Sequence, residues 1–180
     1  CAYHLSCPFE QFLLLSVCFI NHNKYSMERT LIIIKPDALH RNLLGEIIHR
    51  FERKGLKIVG LKMGLITDEK VKEHYAHHVE KPFFPKLKAF MQSAPVVFMV
   101  LEGLEAVEAV RLVTGETKSR TADAGTIRGD FAMSMQANIV HASDSVENGR
   151  KEVERFFDES ELHEYDKNDT TWVYSEEERV

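Results

Sequence analysis

The sequence predicts an α+β domain built on a ferredoxin-like four-stranded antiparallel sheet. Three observations carry this expectation. Apolar runs of strand character alternate with helical periodicity in the order β-α-β-α-α-β-α-loop-β-α, which divides into two β-α-β halves. No internal repeat or linker interrupts that order. At 180 residues, 44% hydrophobic and 28% charged, the chain can bury one core without metal or disulfide staples. The helices are expected on one face of the sheet.

The run RTLIIIKPD, residues 29–37, is apolar and β-branched without alternation, which suits a strand buried on both faces. Pro36 ends it, because proline has no N–H for the ladder. In LLGEIIHRFERKG, residues 43–55, Leu44, Ile47, Ile48 and Phe51 recur at helical spacing and Gly55 supplies a stop. LKIVGLKMGLI, residues 56–66, reads as a second strand. Thr67 or Asp68 can cap a helix over EKVKEHYAHH, residues 69–78, by accepting from a free backbone N–H. A further helix lies in residues 81–93, after their prolines.

PVVFMVLEG, residues 95–103, is the clearest central strand, and residues 104–115 form an amphipathic helix with a glycine stop. The polar stretch 116–136 shows little periodicity, and loops of that length inside a compact domain are usually functional. ANIVHA, residues 137–142, is a fourth short strand. A helix follows in residues 143–157, capped by Ser143 or Ser145, and the tail ends around TTWVYSEEE.

Residues 1–26 differ in character. Their apolar run, residues 12–20, is too short to span a bilayer as a helix, and it follows Glu10 with no Lys or Arg before it. All three cysteines, Cys1, Cys7 and Cys18, precede Met27, where MERT reads as a natural start. The segment is expected to be a non-native or disordered extension, with a targeting or anchor peptide as the alternative. Residues 27–180 would form the single domain. A body without cysteine fits a reducing cytoplasm, and nothing in it suits a membrane. The formal charge of −5 argues against a nucleic-acid backbone as the main partner.

Several site patterns fail. VTGETKS lacks the glycines of a phosphate-binding P-loop, and no G-x-G-x-x-G follows a strand. His74, His77 and His78 share about one helix face, yet no cysteine or H-E-x-x-H glutamate accompanies them as in a zinc site. A solvated helix face is the plainer reading. What remains is a scattered set: Lys35, Arg111, Thr117, Arg128 and Asn138. Lys35 and His141 both stand at strand ends beside irregular backbone, and Arg128 lies in the long loop, places that project side chains into a common cleft. Converging cations clamp phosphate oxygens. A neutral imidazole among them is a good nucleophile, and Glu152 on the next helix could fix its tautomer.

NIVHASDS, residues 138–145, resembles the active-site motif N-x-x-H-[GA]-S-D of the nucleoside diphosphate kinase family. The likeness extends through ERTLIIIKPDA, HY…KPFF, APVVFMVLEG and GTIRGDF, in the family's order, over about residues 27–174. HASD and ERKGLKIVGLKM look most like archaeal members. The resemblance implies a ping-pong kinase in which His141 carries the γ-phosphoryl group from a nucleoside triphosphate, mainly ATP, to a nucleoside diphosphate. It implies that Lys35, Arg111, Thr117 and Arg128 hold phosphates, with Tyr75 near the reacting one and His78 near the diphosphate. Lys35 and Asn138 would reach the sugar hydroxyls, Phe83 would stack on the base, and Met135 would lie below it. Ser143 and Glu152 would support the histidine. Mg²⁺ would arrive with the nucleotide, with Asp144 at most a water-mediated contact. A homo-oligomer is implied, a hexamer by resemblance with a tetramer as the alternative.

The chain departs from the family at Thr117-Lys118-Ser119, where T-N-P is common, and at Ala124, where a proline is common. In the family that loop packs at a subunit contact, so these departures bear on hexamer stability. The rival readings are a nucleotide-binding or regulatory module that has lost turnover, and a ferredoxin-like RNA binder, which would want aromatic residues on its strands.

Overall fold

The computed structural model of the chain describes residues 26–179, so the reading of the N-terminal extension falls, but for Ser26, outside the described residues. Strand β1 (Met27–Ile34) is followed by α1 (Pro36–His40), α2 (Leu44–Arg53), β2 (Lys57–Gly64), α3 (Asp68–His74) and a 3₁₀ turn (Ala76–His78). Then come α4 (Phe84–Met91), β3 (Val96–Leu104), α5 (Ala106–Thr114), a 3₁₀ turn (Ser119–Thr121), α6 (Ile127–Phe131), β4 (Val140–Ala142), α7 (Val146–Phe156) and, in the tail, α8 (Thr170–Val173). The sheet order is β2-β3-β1-β4 and every pairing is antiparallel, the expected ferredoxin-like arrangement.

Helices cover both faces of the sheet, not one. Ile32 and Ile34 of β1 turn towards Ile47, Phe51, Ala106 and Val110 of α2 and α5. Leu31 and Ile33 turn the other way, towards Val71, Phe84, Val153 and Phe156 of α3, α4 and α7. The unbroken apolar run of β1 already required this, since side chains alternate across a strand and all four residues are fully buried.

Two local readings are also corrected. Pro36 does more than end β1: it opens α1, where its missing N–H is harmless at the first helical position. The stretch 116–136 is not wholly irregular, because Thr126 caps α6 by accepting from the Gly129 N–H. Elsewhere Thr67 caps α3 and Ser145, not Ser143, caps α7.

This architecture sets the site. Central β1 ends at Lys35, and β4 lies beside it with His141 opposite Ile33. Helix α7 crosses β1 closely at Gly149, where an added Cβ would come within 3.0 Å of the Arg29 carbonyl oxygen. The close crossing brings Glu152, one turn on, over β4.

Candidate active site

His141 projects from β4 with its side chain 20% exposed. Its Nε2 lies 3.0 Å from Glu152 Oε2, and that oxygen also accepts from the Ser143 hydroxyl at 2.7 Å. Ser143 is itself pinned: it is fully buried, and its Oγ accepts the Leu31 N–H at 3.2 Å. A carboxylate only accepts, so Nε2 carries the proton and the Nδ1 lone pair is the one available to react. Nδ1 has no hydrogen bond among the described residues.

Behind this ring lies His74, packed edge-on with ring centroids 4.3 Å apart. Its Nδ1 is 3.7 Å from Glu152 Oε1, and neither of its nitrogens has a hydrogen-bond partner. Burial, reinforced by His141, drives its pKa far down, so His74 stays neutral. The three histidines of HYAHH do not share a face: α3 ends at His74, which is buried, while the following 3₁₀ turn leaves His77 exposed. They form no metal set. Among the described residues, the potential ligand atoms that cluster belong to His74, His141 and Glu152, within 4.8 Å of one another. A metal there would occupy the His141 imidazole.

The cations form a second group. Lys35 is buried at the end of β1, and its Nζ donates to Asn138 Oδ1 at 2.5 Å. Desolvation, with a contribution from nearby Arg128, brings the Lys35 pKa down to about 8. The Asn138 amide nitrogen donates to the Thr117 carbonyl at 3.2 Å, which ties that loop to the pair. Arg128, 7% exposed, donates to the backbone carbonyls of Gly115 at 2.6 Å, Val140 at 2.8 Å and Asn138 at 3.3 Å. Burial and the neighbouring Arg111 lower its pKa to about 10, which still leaves it charged at neutral pH. Arg111 is exposed on α5 and, with Asp144 and Ser145, lines an open groove of about 790 Å³ that runs beside the histidine rather than over it.

A row of rings leads outward from His141. Tyr75 is edge-on to it at 6.4 Å, His78 stacks on Tyr75 at 6.3 Å, and Phe83 meets His78 edge-on at 5.1 Å. Phe83 is 48% exposed, an unshielded π-face at the mouth. Met135 is exposed on a loop that Gln136 ties to α4 by a 3.3 Å bond to the Lys86 carbonyl. Asp144 accepts from Asn148 at 2.6 Å, and this bond holds its carboxyl below the usual range, so it is ionised and exposed.

Ten of the expected residues thus fall into three groups, His141, Ser143 and Glu152; Lys35, Asn138, Thr117 and Arg128; and Tyr75, His78 and Phe83, while Arg111, Met135 and Asp144 stand outside them. His74 escaped the sequence reading as a buried residue. Its signal was its position three after Val71, on the apolar stripe of α3. A Glu152→Gln change keeps the shape but removes the charge that fixes the imidazole. It is expected to slow phosphorylation of His141 by about 10–100-fold with little change in nucleotide KM, read by single-turnover kinetics.

A family model described as nucleoside diphosphate kinase matches residues 28–162. The nucleoside diphosphate kinase of Parabacteroides distasonis is 48% identical over 152 residues, 84% of this chain and 99% of that one. That of the archaeon Archaeoglobus fulgidus is also 48% identical, over 150 residues, 83% of this chain and 99% of its own. Among solved structures, a halophilic nucleoside diphosphate kinase from Halobacterium salinarum in complex with CDP superposes with a TM-score of 0.80. The two chains share 43% identity, covering 83% of this chain and 99% of that one.

Proposed function

The chain belongs to the nucleoside diphosphate kinase family, and from that membership we propose how its residues move a phosphoryl group between nucleotides. The observation that carries the reading is the single imidazole whose Nε2 is engaged by Glu152 at 3.0 Å, on a strand whose entry turn is held by the buried cations Lys35 and Arg128. His141 Nδ1 attacks the γ-phosphorus of a nucleoside triphosphate, mainly ATP. The N–P bond forms as the bond to the bridging oxygen breaks, and the diphosphate leaves. A second diphosphate then attacks the phosphohistidine and regenerates the ring.

Lys35, Arg111, Thr117 and Arg128 hold the phosphates, the three cations neutralising their charge and Thr117 offering a hydroxyl, and catalysis rests on positioning and charge, as phosphoryl transfer generally does. Tyr75 and His78 line the path to the phosphates. Lys35 and Asn138 hold the sugar. Phe83, with Met135 below the base, offers stacking that tolerates any base, because every base has a π-face. Mg²⁺ would be carried by the phosphates, where it shields charge, and ionised, exposed Asp144 suits a contact through water.

The test is labelling with γ-labelled ATP, followed by a chase with a purine and a pyrimidine diphosphate. An acid-labile, base-stable phosphoprotein discharged by both acceptors is expected. Nucleotide binding without label would favour a module that has lost turnover.

Lys35 makes the site pH-sensitive. Its pKa of about 8 lies below the ordinary lysine value, so its positive charge is present below pH 8 and lost above it. Nucleotide affinity is expected to fall as pH rises from 7 to 9. Near pH 8, binding should take up a proton, which calorimetry in buffers of different ionisation enthalpy would detect. Equal heats in all buffers would refute this.

We place the chain in a homo-oligomer, a hexamer by family likeness. The edge strand β2 exposes Leu61 and Met63, a surface suited to a second copy. The loop that lacks two family prolines is pinned instead by Ser119 Oγ on the Ser134 carbonyl at 2.9 Å and Thr121 Oγ1 on Glu116 at 3.1 Å. Among the described residues no helix is long and apolar enough to cross a membrane, and a cytoplasmic location is part of this proposal.

A further inference from the structure

Ile139, two residues before His141, has φ 72°. That is left-handed backbone, in which a β-branched side chain is strained. The Val140 N–H donates to the Asn138 carbonyl at 2.8 Å across it, closing a γ-turn. Strained backbone of this kind persists only where its surroundings over-determine it.

Three residues hold this turn: Lys35, Arg128 and Asp37. The Lys35 N–H donates to the Ile139 carbonyl at 2.9 Å, and Arg128 holds the carbonyls on either side. Asp37 Oδ2 accepts the Ile139 N–H at 3.0 Å. Its other oxygen, Oδ1, is buried without a partner, so the carboxylate is committed to this one backbone group. Asp37 stands in the first turn of α1, two residues after Lys35. The segment 35–37 therefore grips both polar groups of Ile139.

We propose that Asp37 is a positioning residue: its carboxylate clamps the strained turn at Ile139, and so aims Asn138 towards Lys35 and His141 towards Glu152. It touches no substrate. The inference rests on the phosphohistidine reading above, because the geometry it protects is that of the nucleophile. A buried acid serving only α1 would leave the strain at Ile139 irrelevant, which makes the two roles separable.

The experiment compares the single-turnover rate of His141 phosphorylation in wild type, Asp37→Ala, Asp37→Asn, Ile139→Gly and the Asp37→Ala/Ile139→Gly double variant. Asp37→Ala is expected to slow labelling by about 10–100-fold, the effect of misplacing a reacting group from a distance. Asp37→Asn retains an acceptor oxygen and should stay within about threefold of wild type. Glycine adopts positive φ without strain, so adding Asp37→Ala to Ile139→Gly should cost less than about threefold.

An equal loss in both backgrounds would overturn the clamp. So would an Asp37→Asn variant as slow as Asp37→Ala. Ile139 is fully buried, and its glycine variant could fail to fold. Hydrogen exchange then decides: segment 138–141 should exchange faster in Asp37→Ala than in wild type, and unchanged protection refutes the clamp. A wild-type chain that takes no label would overturn the phosphohistidine reading, while the exchange result would still judge the clamp independently.

Discussion

His141→Ala is expected to abolish the phosphoenzyme and lower nucleoside diphosphate kinase turnover by about 10⁴-fold or more, the scale seen when a nucleophile is removed. No neighbour is built to replace it. His74 lies 4.3 Å away, but its side chain is only 1% exposed, so its neutral ring is sealed from any nucleotide. Ser143 has its hydroxyl committed to Glu152 and is fully buried.

The loss should fall on chemistry rather than binding. Lys35, Asn138 and Arg128 make their bonds to one another and to backbone, none to the imidazole. The dissociation constant for a nucleoside triphosphate should therefore stay within about threefold of wild type, because none of these groups depends on the imidazole for its position. Rapid-quench labelling and equilibrium binding on the same preparation measure both arms. Label retained on the variant protein would move the nucleophile elsewhere and end the account built on His141.

What was legible beforehand divides along a physical line. Periodicity revealed the strands and most helices because burial writes itself into apolar spacing: Ile47 and Phe51, or Val107 and Val110, could only be a buried face. The site's members stood out as polar residues at strand ends and in an unusually long loop. Their connections did not. That Arg128 grips backbone carbonyls, or that Asp37 reaches Ile139 across 102 positions, depends on how β4 lies against β1. A strained φ at an isoleucine leaves no mark in sequence, since propensity alone would place glycine there. His74 was misjudged for a related reason. A histidine on a helix is usually solvated, and only the arrival of α7 with Glu152 and Phe156 turns that face inward.

Arg128→Ala is the second change with a large expected effect, and it should damage catalysis and stability together. The guanidinium has five N–H donors, and the side chain commits bonds to three carbonyls, those of Gly115, Asn138 and Val140. Its remaining donors are what a phosphate would meet. Truncation removes that charge from the transition state, which raises the barrier by about 3 kcal/mol, or roughly 10²-fold in rate. It also strips the Gly115 and Val140 carbonyls of the guanidinium and leaves the Asn138 carbonyl with the Val140 N–H alone, and two of these three flank the strained Ile139. Each of the two acceptors left unpaired costs about 1–3 kcal/mol, so a fall in Tm of roughly 4–24 °C is expected for a chain of this size.

Arg128→Lys separates the two roles. Lysine keeps a positive charge but is a single point donor that cannot bridge three carbonyls. If charge alone mattered, that variant would restore the rate. If the planar fork sets the turn, the rate stays low, and hydrogen exchange at residues 138–141 rises, as is also expected for Asp37→Ala. The second outcome is expected, because the guanidinium proposed to meet the phosphates also holds the backbone from which His141 projects.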